Sequence, residues 1–176
     1  DSFATGNSTT GGIQEAINDL PSGIGGTVIL SSKTYTITSQ ITVKDRVRLV
    51  GCGSRSTIIQ SSGGFASATG LVRLGDSTQT RIFNTRLEQL QVDCNDVATS
   101  VGVYTTEADE QSGLFNVAVN KYRVYGFQAL ASGGGLPARL EVNNCEFYGS
   151  RSGSTNGILL NPIESDTPNV NRPINN

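Results

Sequence analysis

The amino-acid sequence predicts an all-β fold in which parallel strands stack into a solenoid, with a single α-helix near the start. Three observations predict it. Short apolar runs alternate with polar residues and end at Gly, Ser, Asn or Asp, as half-buried strands do. Only one helical pattern is found, and it precedes these runs. In the second half of the chain, similar segments recur at spacings of 27 and 28 residues, a period typical of solenoids.

The helical pattern lies close to the start of the chain. Four apolar residues fall on one helix face at i, i+3, i+4 and i+7: Ile13, Ala16, Ile17 and Leu20. Gly12 and Thr10 are alternative N-caps, and Pro21 ends the helix. A helix this short is not stable alone. We therefore expect its apolar face to cover the open end of the first solenoid coil.

After Gly26 the pattern changes to an alternation with a period of two. The apolar positions of successive predicted strands are Val28 and Leu30, Tyr35 and Ile37, Ile41 and Val43, Val47 and Leu49, and then Ile58. Frequent turn residues between them favour many short strands. A sandwich or barrel of hairpins also contains such strands, but neither requires a fixed period.

The repeat is clearest between residues 87 and 160. Segments 87–95, 114–120 and 142–149 align Leu90 with Val117 and Cys145, and Val92 with Val119 and Phe147. The second strand of each repeat begins with glycine, at 102–104, 126–127 and 157–160. We therefore expect the aligned apolar residues to form stacked columns in the core.

The composition limits the chemistry of the chain. Its 176 residues include no His and no Trp, which excludes Ser-His-Asp triads, Cys-His pairs and His-ligated zinc. Cys52, Cys94 and Cys145 lie far apart in the sequence. Buried free thiols are the expected state, with one disulfide and one free thiol as the alternative.

The charge and hydropathy of the chain indicate neither nucleic-acid binding nor a membrane span. The chain has 13 basic and 15 acidic residues and no basic stripe, so nucleic acid is not an expected partner. No apolar run approaches the roughly 20 residues of a membrane span. Because Met is absent, we expect a processed product or a segment of a longer chain. Residues 1–176 then form one domain, with a lead-in and helix in 1–23 and coils in 24–176.

The first 60 residues resemble a known family. They contain, in order, D-x-F-A-T-G-N, I-Q-E-A-I, G-G-T-V-I-L-S-S-K-T-Y-T-I and V-R-L-V-G-C-G-S-R-S-T-I-I. This block resembles the N-terminal part of pectate-lyase-like proteins, which include phage tailspikes and tail fibres and extracellular polysaccharide lyases and hydrolases. The resemblance implies an all-β, right-handed parallel β-helix (solenoid) with a short N-terminal capping α-helix.

For function, the resemblance implies a virion tail protein that contacts host cell-surface polysaccharide. A homotrimer bound to other virion tail proteins is the expected assembly. The alternative is an extracellular, secreted polysaccharide lyase or glycoside hydrolase, since the same opening occurs on enzymes and on non-catalytic fibres. The lack of a catalytic signature favours the first.

The candidate catalytic residues are carboxylates, because glycan cleavage commonly uses them. They are Asp93 and Asp96 in VDCND, and Glu107, Asp109 and Glu110 in TTEADEQSG. The alternative for the first two is a tight turn, and for the other three a solvated loop. A Ca²⁺ ion would need about six to eight oxygen ligands, so no metal or cofactor is predicted.

The candidate glycan-binding residues are cationic and aromatic. Arg46, Arg48 and Arg55 would suit an acidic glycan, and the ring of Tyr104 would stack on a sugar. The alternative for the arginines is an ordinary outward position on strands.

Overall fold

The described part of the chain contains one helix and fifteen short strands. The structure is a computed structural model that describes residues 8–76, 78, 81–130, 139–151 and 156–161. The part of the lead-in before Ser8 lies outside them. Helix α1 spans Ile13–Asp19. The strands are β1 Gly26–Ile29, β2 Thr34–Ile37, β3 Ile41–Val43, β4 Val47–Val50, β5 Ile58–Ser61, β6 Val72–Leu74, β7 Arg86–Glu88, β8 Gln91–Asp93, β9 Val101–Thr105, β10 Gly113–Phe115, β11 Ala118–Tyr122, β12 Tyr125–Leu130, β13 Glu141–Asn143, β14 Glu146–Gly149 and β15 Asn156–Asn161.

Each strand pairs in parallel with the strand three positions later in the chain, which makes the fold a solenoid. Sheet A contains β1, β4, β7, β10 and β13, sheet B contains β2, β5, β8, β11 and β14, and sheet C contains β3, β6, β9, β12 and β15. The chain thus returns to sheet A four times after β1. The predicted all-β solenoid of parallel strands with one short helix is confirmed.

The predicted core columns are also present. In sheet B, Val119 pairs with Val92 on one side and with Phe147 on the other. One strand position was wrong: Ile59 is buried, whereas Ile58 lies on the outward side. Because Ile58 and Ile59 are adjacent and identical, the alternation of apolar and polar residues cannot show which of them faces the core.

Helix α1 covers the first coil, as predicted. Ile13 and Ile17 are buried in the core of the solenoid. The Gln14 side chain completes the cap, because its Oε1 accepts a hydrogen bond from the Thr42 N–H at 2.7 Å and its Nε2 donates to the Thr42 carbonyl at 3.2 Å. These two bonds replace those of a neighbouring strand at the edge of β3.

Thr10 supplies the capping bond of α1. Its hydroxyl accepts a hydrogen bond from the Gln14 N–H at 3.2 Å and donates to Glu15 Oε2 at 3.0 Å. Gly12 occupies the N-cap position with φ 88° and makes no side-chain bond there. Of the two alternative caps, the structure therefore assigns the hydrogen bond to Thr10 and the left-handed backbone to Gly12.

Left-handed backbone recurs at fixed turn positions of the coils. Residues with φ between 50° and 59° precede four strands of sheet A: Arg46, Asn84, Gln111 and Arg139. Between sheets A and B, Gln89, Asn116 and Asn144 have φ between 50° and 54°, and Asn144 Nδ2 donates to Asn116 Oδ1 at 2.5 Å. Asn tolerates this conformation better than most residues, which accounts for its recurrence in the sequence repeat.

Candidate functional site

All five candidate carboxylates lie in ion pairs. The pairs are Asp93 with Lys121 (3.1 Å), Asp96 with Arg123 (3.4 Å), Glu107 with Arg73 (2.9 Å), Asp109 with Arg81, and Glu110 with Arg139. Each pair joins residues 27 to 34 positions apart in sequence, so each connects neighbouring coils. The structure therefore brings each candidate carboxylate to a cation on an adjacent coil.

The predicted solvated loop at Glu107, Asp109 and Glu110 is wrong for its first two members. Glu107 is 2% exposed and Asp109 is 0% exposed. The reason lies in Ala108, which is buried and pairs as an isolated bridge with Ile82. The Asp109 N–H donates to the Ile82 carbonyl at 2.9 Å, which draws the turn inward.

Asp93 lies on the outward side of its strand, but its side chain is largely covered by neighbouring residues. Its side chain shares a sheet B column with Gln60 and is only 6% exposed. Oδ2 accepts hydrogen bonds from Gln60 Nε2 (3.3 Å) and Lys121 Nζ (3.1 Å), and Oδ1 accepts one from the Asn95 N–H (2.8 Å). Since Asn95 and Asp96 have φ of 54° and 61°, the tight-turn interpretation fits this segment.

Tyr104 lies in the outward column of sheet C. Pairing registers give the order Thr42, Arg73, Tyr104, Gln128 and Leu159 along that column. Tyr104 is half-buried, and the Arg73 guanidinium carbon lies 5.3 Å from its ring centroid. The predicted aromatic candidate is thus on an accessible sheet face, next to a cation that the sequence analysis missed. Arg73 stands between the apolar residues Val72 and Leu74. This alternation could have identified it as an outward strand residue.

The Arg73 side chain is fixed by three acceptors. Nε donates to the Gly75 carbonyl (2.9 Å), and Nη2 donates to Glu107 Oε1 (2.9 Å) and Thr106 Oγ1 (3.1 Å). The other carboxylate oxygen, Glu107 Oε2, is buried and has no hydrogen-bond partner among the described residues. It lies against Gly75, where a Cβ atom would come within 2.5 Å of it. Gly75 therefore provides the space that the carboxylate occupies.

The predicted arginines do not join Tyr104. Arg48 lies in sheet A and makes two bonds to Glu88, Nε to Oε1 at 2.9 Å and Nη2 to Oε2 at 2.8 Å. This pairing raises the pKa of Arg48. Arg46 lies in the turn before β4 and donates to the Gly23 carbonyl at 2.6 Å, and Arg55 is exposed in the turn after β4.

The three cysteines are free thiols, as predicted. Cys94 is buried, and burial raises its pKa to about 12. Burial also raises the pKa of the half-buried Cys145. Cys52 is exposed in the turn after β4, which contradicts the expected burial.

Two kinds of feature are absent from the described residues. No group of three or more His, Cys, Asp or Glu side chains in this part of the chain has a geometry that could hold a metal ion. Among the same residues, no helix has the length and apolar character needed to cross a membrane.

These features define the chain as a parallel β-solenoid, and solved structures share that fold. One is ORF18 of Geobacillus virus E2, with a TM-score of 0.54 and 19% identity over 88% of this chain and 38% of that chain. Another is the mannuronan C-5 epimerase AlgE6 A-module of Azotobacter vinelandii, with a TM-score of 0.55 and 20% identity over 83% of this chain and 53% of that chain. This chain therefore spans about half or less of either structure. No family model and no curated protein sequence matches it.

Proposed function

We propose that this chain belongs to a phage tailspike or tail-fibre protein of the pectate-lyase-like β-helix superfamily, and that its solenoid contacts a polysaccharide of the host cell surface. The observation that carries this proposal is the position of Tyr104 between Arg73 and Gln128 on the outward face of sheet C. Neighbouring strands lie about 4.8 Å apart. The column of side chains therefore follows the solenoid axis, a direction that suits a linear polymer.

The chemistry of the column supports contact with a sugar. A tyrosine ring offers a large apolar surface with a polar hydroxyl, and Gln128 offers an amide for hydrogen bonds with sugar hydroxyls. Because Arg73 is already fixed by its acceptors, little side-chain freedom is lost on binding. The ion-paired carboxylates are not free to approach a glycosidic bond, which supports binding over cleavage.

Replacing Tyr104 with Ala is expected to weaken binding to the host polysaccharide by about tenfold or more, because a central aromatic contact is lost. Isothermal titration with the purified polysaccharide measures this change. The matched control is Tyr148→Ala, which removes a 57% exposed tyrosine from sheet B and should leave binding unchanged. Equal losses in both variants, or no loss in Tyr104→Ala, would contradict the proposal.

We also propose a homotrimer that associates with other virion tail proteins. Ile24 and Ile29 are both 75% exposed, and Ile29 pairs with the outward-facing Val50 in sheet A. Adjacent apolar side chains on an outer face, as at Ile29 and Val50, are typical of interfaces. Light scattering at micromolar concentration is expected to give three times the 18.5 kDa of one chain. A monomer mass would overturn this assembly.

The alternative is a secreted polysaccharide lyase or glycoside hydrolase. The observation that favours it is Glu107 Oε2, which is buried beside the Arg73 and Tyr104 pair and has no hydrogen-bond partner in the described part of the chain. An enzyme would release new reducing ends or an unsaturated product that absorbs ultraviolet light, and Asp93→Asn or Glu107→Gln would abolish that release. The location separates the two functions as well: presence in purified virions supports the tail protein, whereas presence only in culture medium supports the enzyme.

A further inference from the structure

We propose that the polysaccharide bound on sheet C is electrically neutral, an inference that rests on the proposed contact at Tyr104. The charge of the column carries it. Of the five residues Thr42, Arg73, Tyr104, Gln128 and Leu159, Arg73 is the charged one. Its charge is already balanced, because its Nη2 lies 2.9 Å from Glu107 Oε1.

In the turns on both sides of sheet C, cations are likewise balanced by ion pairs. On the side that leads to sheet A, Arg81 pairs with Asp109 and Arg139 pairs with Glu110. On the side that comes from sheet B, Arg123 pairs with Asp96. Two described cations near this face have no ion-pair partner. Lys44 follows β3, two strands from Tyr104 and next to Asp45, and Arg151 follows β14 in the last coil.

An anionic polymer would bind poorly to such a face. Its carboxylates or phosphates lose water on binding and need unpaired cations in return. Drawing Arg73 away from Glu107 would leave a carboxylate that is 2% exposed without its cation, which is strongly unfavourable. The formal net charge of −2 over the whole chain adds repulsion.

A neutral polymer, in contrast, can form hydrogen bonds with this face without disturbing its ion pairs. Nε and Nη2 of Arg73 are occupied, whereas Nη1 makes no hydrogen bond to the described residues. Nη1 can therefore donate to a sugar hydroxyl while the ion pair stays intact. Gln128 adds an uncharged donor and acceptor one strand away. Hydroxyl groups, rather than charged groups, are what these side chains can satisfy.

The test is an array of bacterial surface polysaccharides that contains neutral members and members bearing uronate or phosphate groups. The wild-type protein and Tyr104→Ala are applied in parallel, and each hit is titrated from about 0.05 M to about 0.5 M salt, a range over which screening of charge interactions rises strongly. We expect neutral hits that depend on Tyr104 and change less than about twofold with salt. Tyr104-dependent, salt-sensitive hits on anionic members would overturn the neutral class but keep the sheet C contact. No hits, or hits indifferent to Tyr104→Ala, would overturn the proposed function itself.

Variants test the cause of the preference. Glu107→Gln leaves the charge of Arg73 unbalanced and is expected to raise affinity for anionic members about tenfold. Glu88→Gln is the matched control, because it makes the same charge change beside Arg48 on sheet A and should not alter array binding. If Glu107→Gln does not fold by circular dichroism, Gln128→Lys places an unpaired cation in the same column and is expected to produce the same gain. A folded variant without that gain would contradict the charge argument.

Discussion

Replacing Ile17 with Asp is expected to disrupt the first coil of the solenoid. Ile17 is 0% exposed and lies in the core beneath α1. The substitution removes a buried aliphatic side chain and places a carboxylate in an apolar core, so we expect a loss of about 4 kcal/mol or more in the free energy of unfolding. Release of α1 would also break the two Gln14 bonds that cover the edge of β3. Thermal denaturation followed by circular dichroism measures the first effect, and light scattering measures association through the exposed edge.

The control for this substitution lies one residue along the same helix. Asn18→Asp adds the same charge at an exposed position, and its carboxylate keeps the oxygen that accepts the Gln14 amide at 3.2 Å. We expect its melting temperature to stay close to that of the unmodified protein. A soluble Ile17→Asp variant with an unchanged melting temperature would show that α1 does not cap the solenoid.

The second large effect is expected from Gly102→Ala in β9. Gly102, Gly126 and Gly157 occupy one register column of sheet C. A Cβ atom at Gly102 would meet Val119 Cγ1 and would come within 2.7 Å of the Gly126 carbonyl oxygen. Because backbone cannot move aside as a side chain can, we expect a loss of about 2 to 3 kcal/mol, measured by urea denaturation.

Gly64→Ala is the matched control for this change. A Cβ atom at Gly64 has nothing within 4 Å, so the same added methyl group should alter stability by less than about 0.5 kcal/mol. If both variants unfold at the same urea concentration, the crowding at Gly102 does not limit how closely the strands pack. If Gly102→Ala alone is destabilised, the recurrent glycine of the sequence repeat has a steric cause.

The periodic features of the fold were predictable from the sequence, and the irregular ones were not. Between the later coils the spacing is regular, since Arg86 pairs with Gly113 and Gly113 with Glu141. Between the second and third coils, however, Arg48 pairs with Arg86, which requires a much longer stretch of chain. The additional residues lie in turns. The alternation of apolar and polar residues along the strands does not constrain the length of a turn. The repeat is therefore visible in the second half of the sequence and hidden in the first.

The candidate site was predictable in part as single residues but not as an arrangement. Tyr104 was named as a candidate from its residue type, whereas Arg73, its neighbour in the outward column, was not named. The partner of Arg73 is Glu107, which is 34 residues away and lies in a turn. Which coil position faces which is set by the length of every turn between them. The burial of Glu107 and Asp109 likewise depends on Ile82 in the preceding coil, a contact that no local pattern encodes.

The left-handed turn positions have a consequence for how such a chain changes length during evolution. Arg86, Gly113 and Glu141 occupy equivalent places at intervals of 27 and 28 residues, and the turn residues Gln89, Asn116 and Asn144 follow the same intervals. Each coil contacts mainly its neighbours in a solenoid. A tandem gene duplication that copies one such interval therefore inserts a complete coil, with its own turn, core residues and pairing edges. A duplication of only part of a coil lengthens a turn or a strand without adding a coil, so the genetic unit of growth in this fold is one coil.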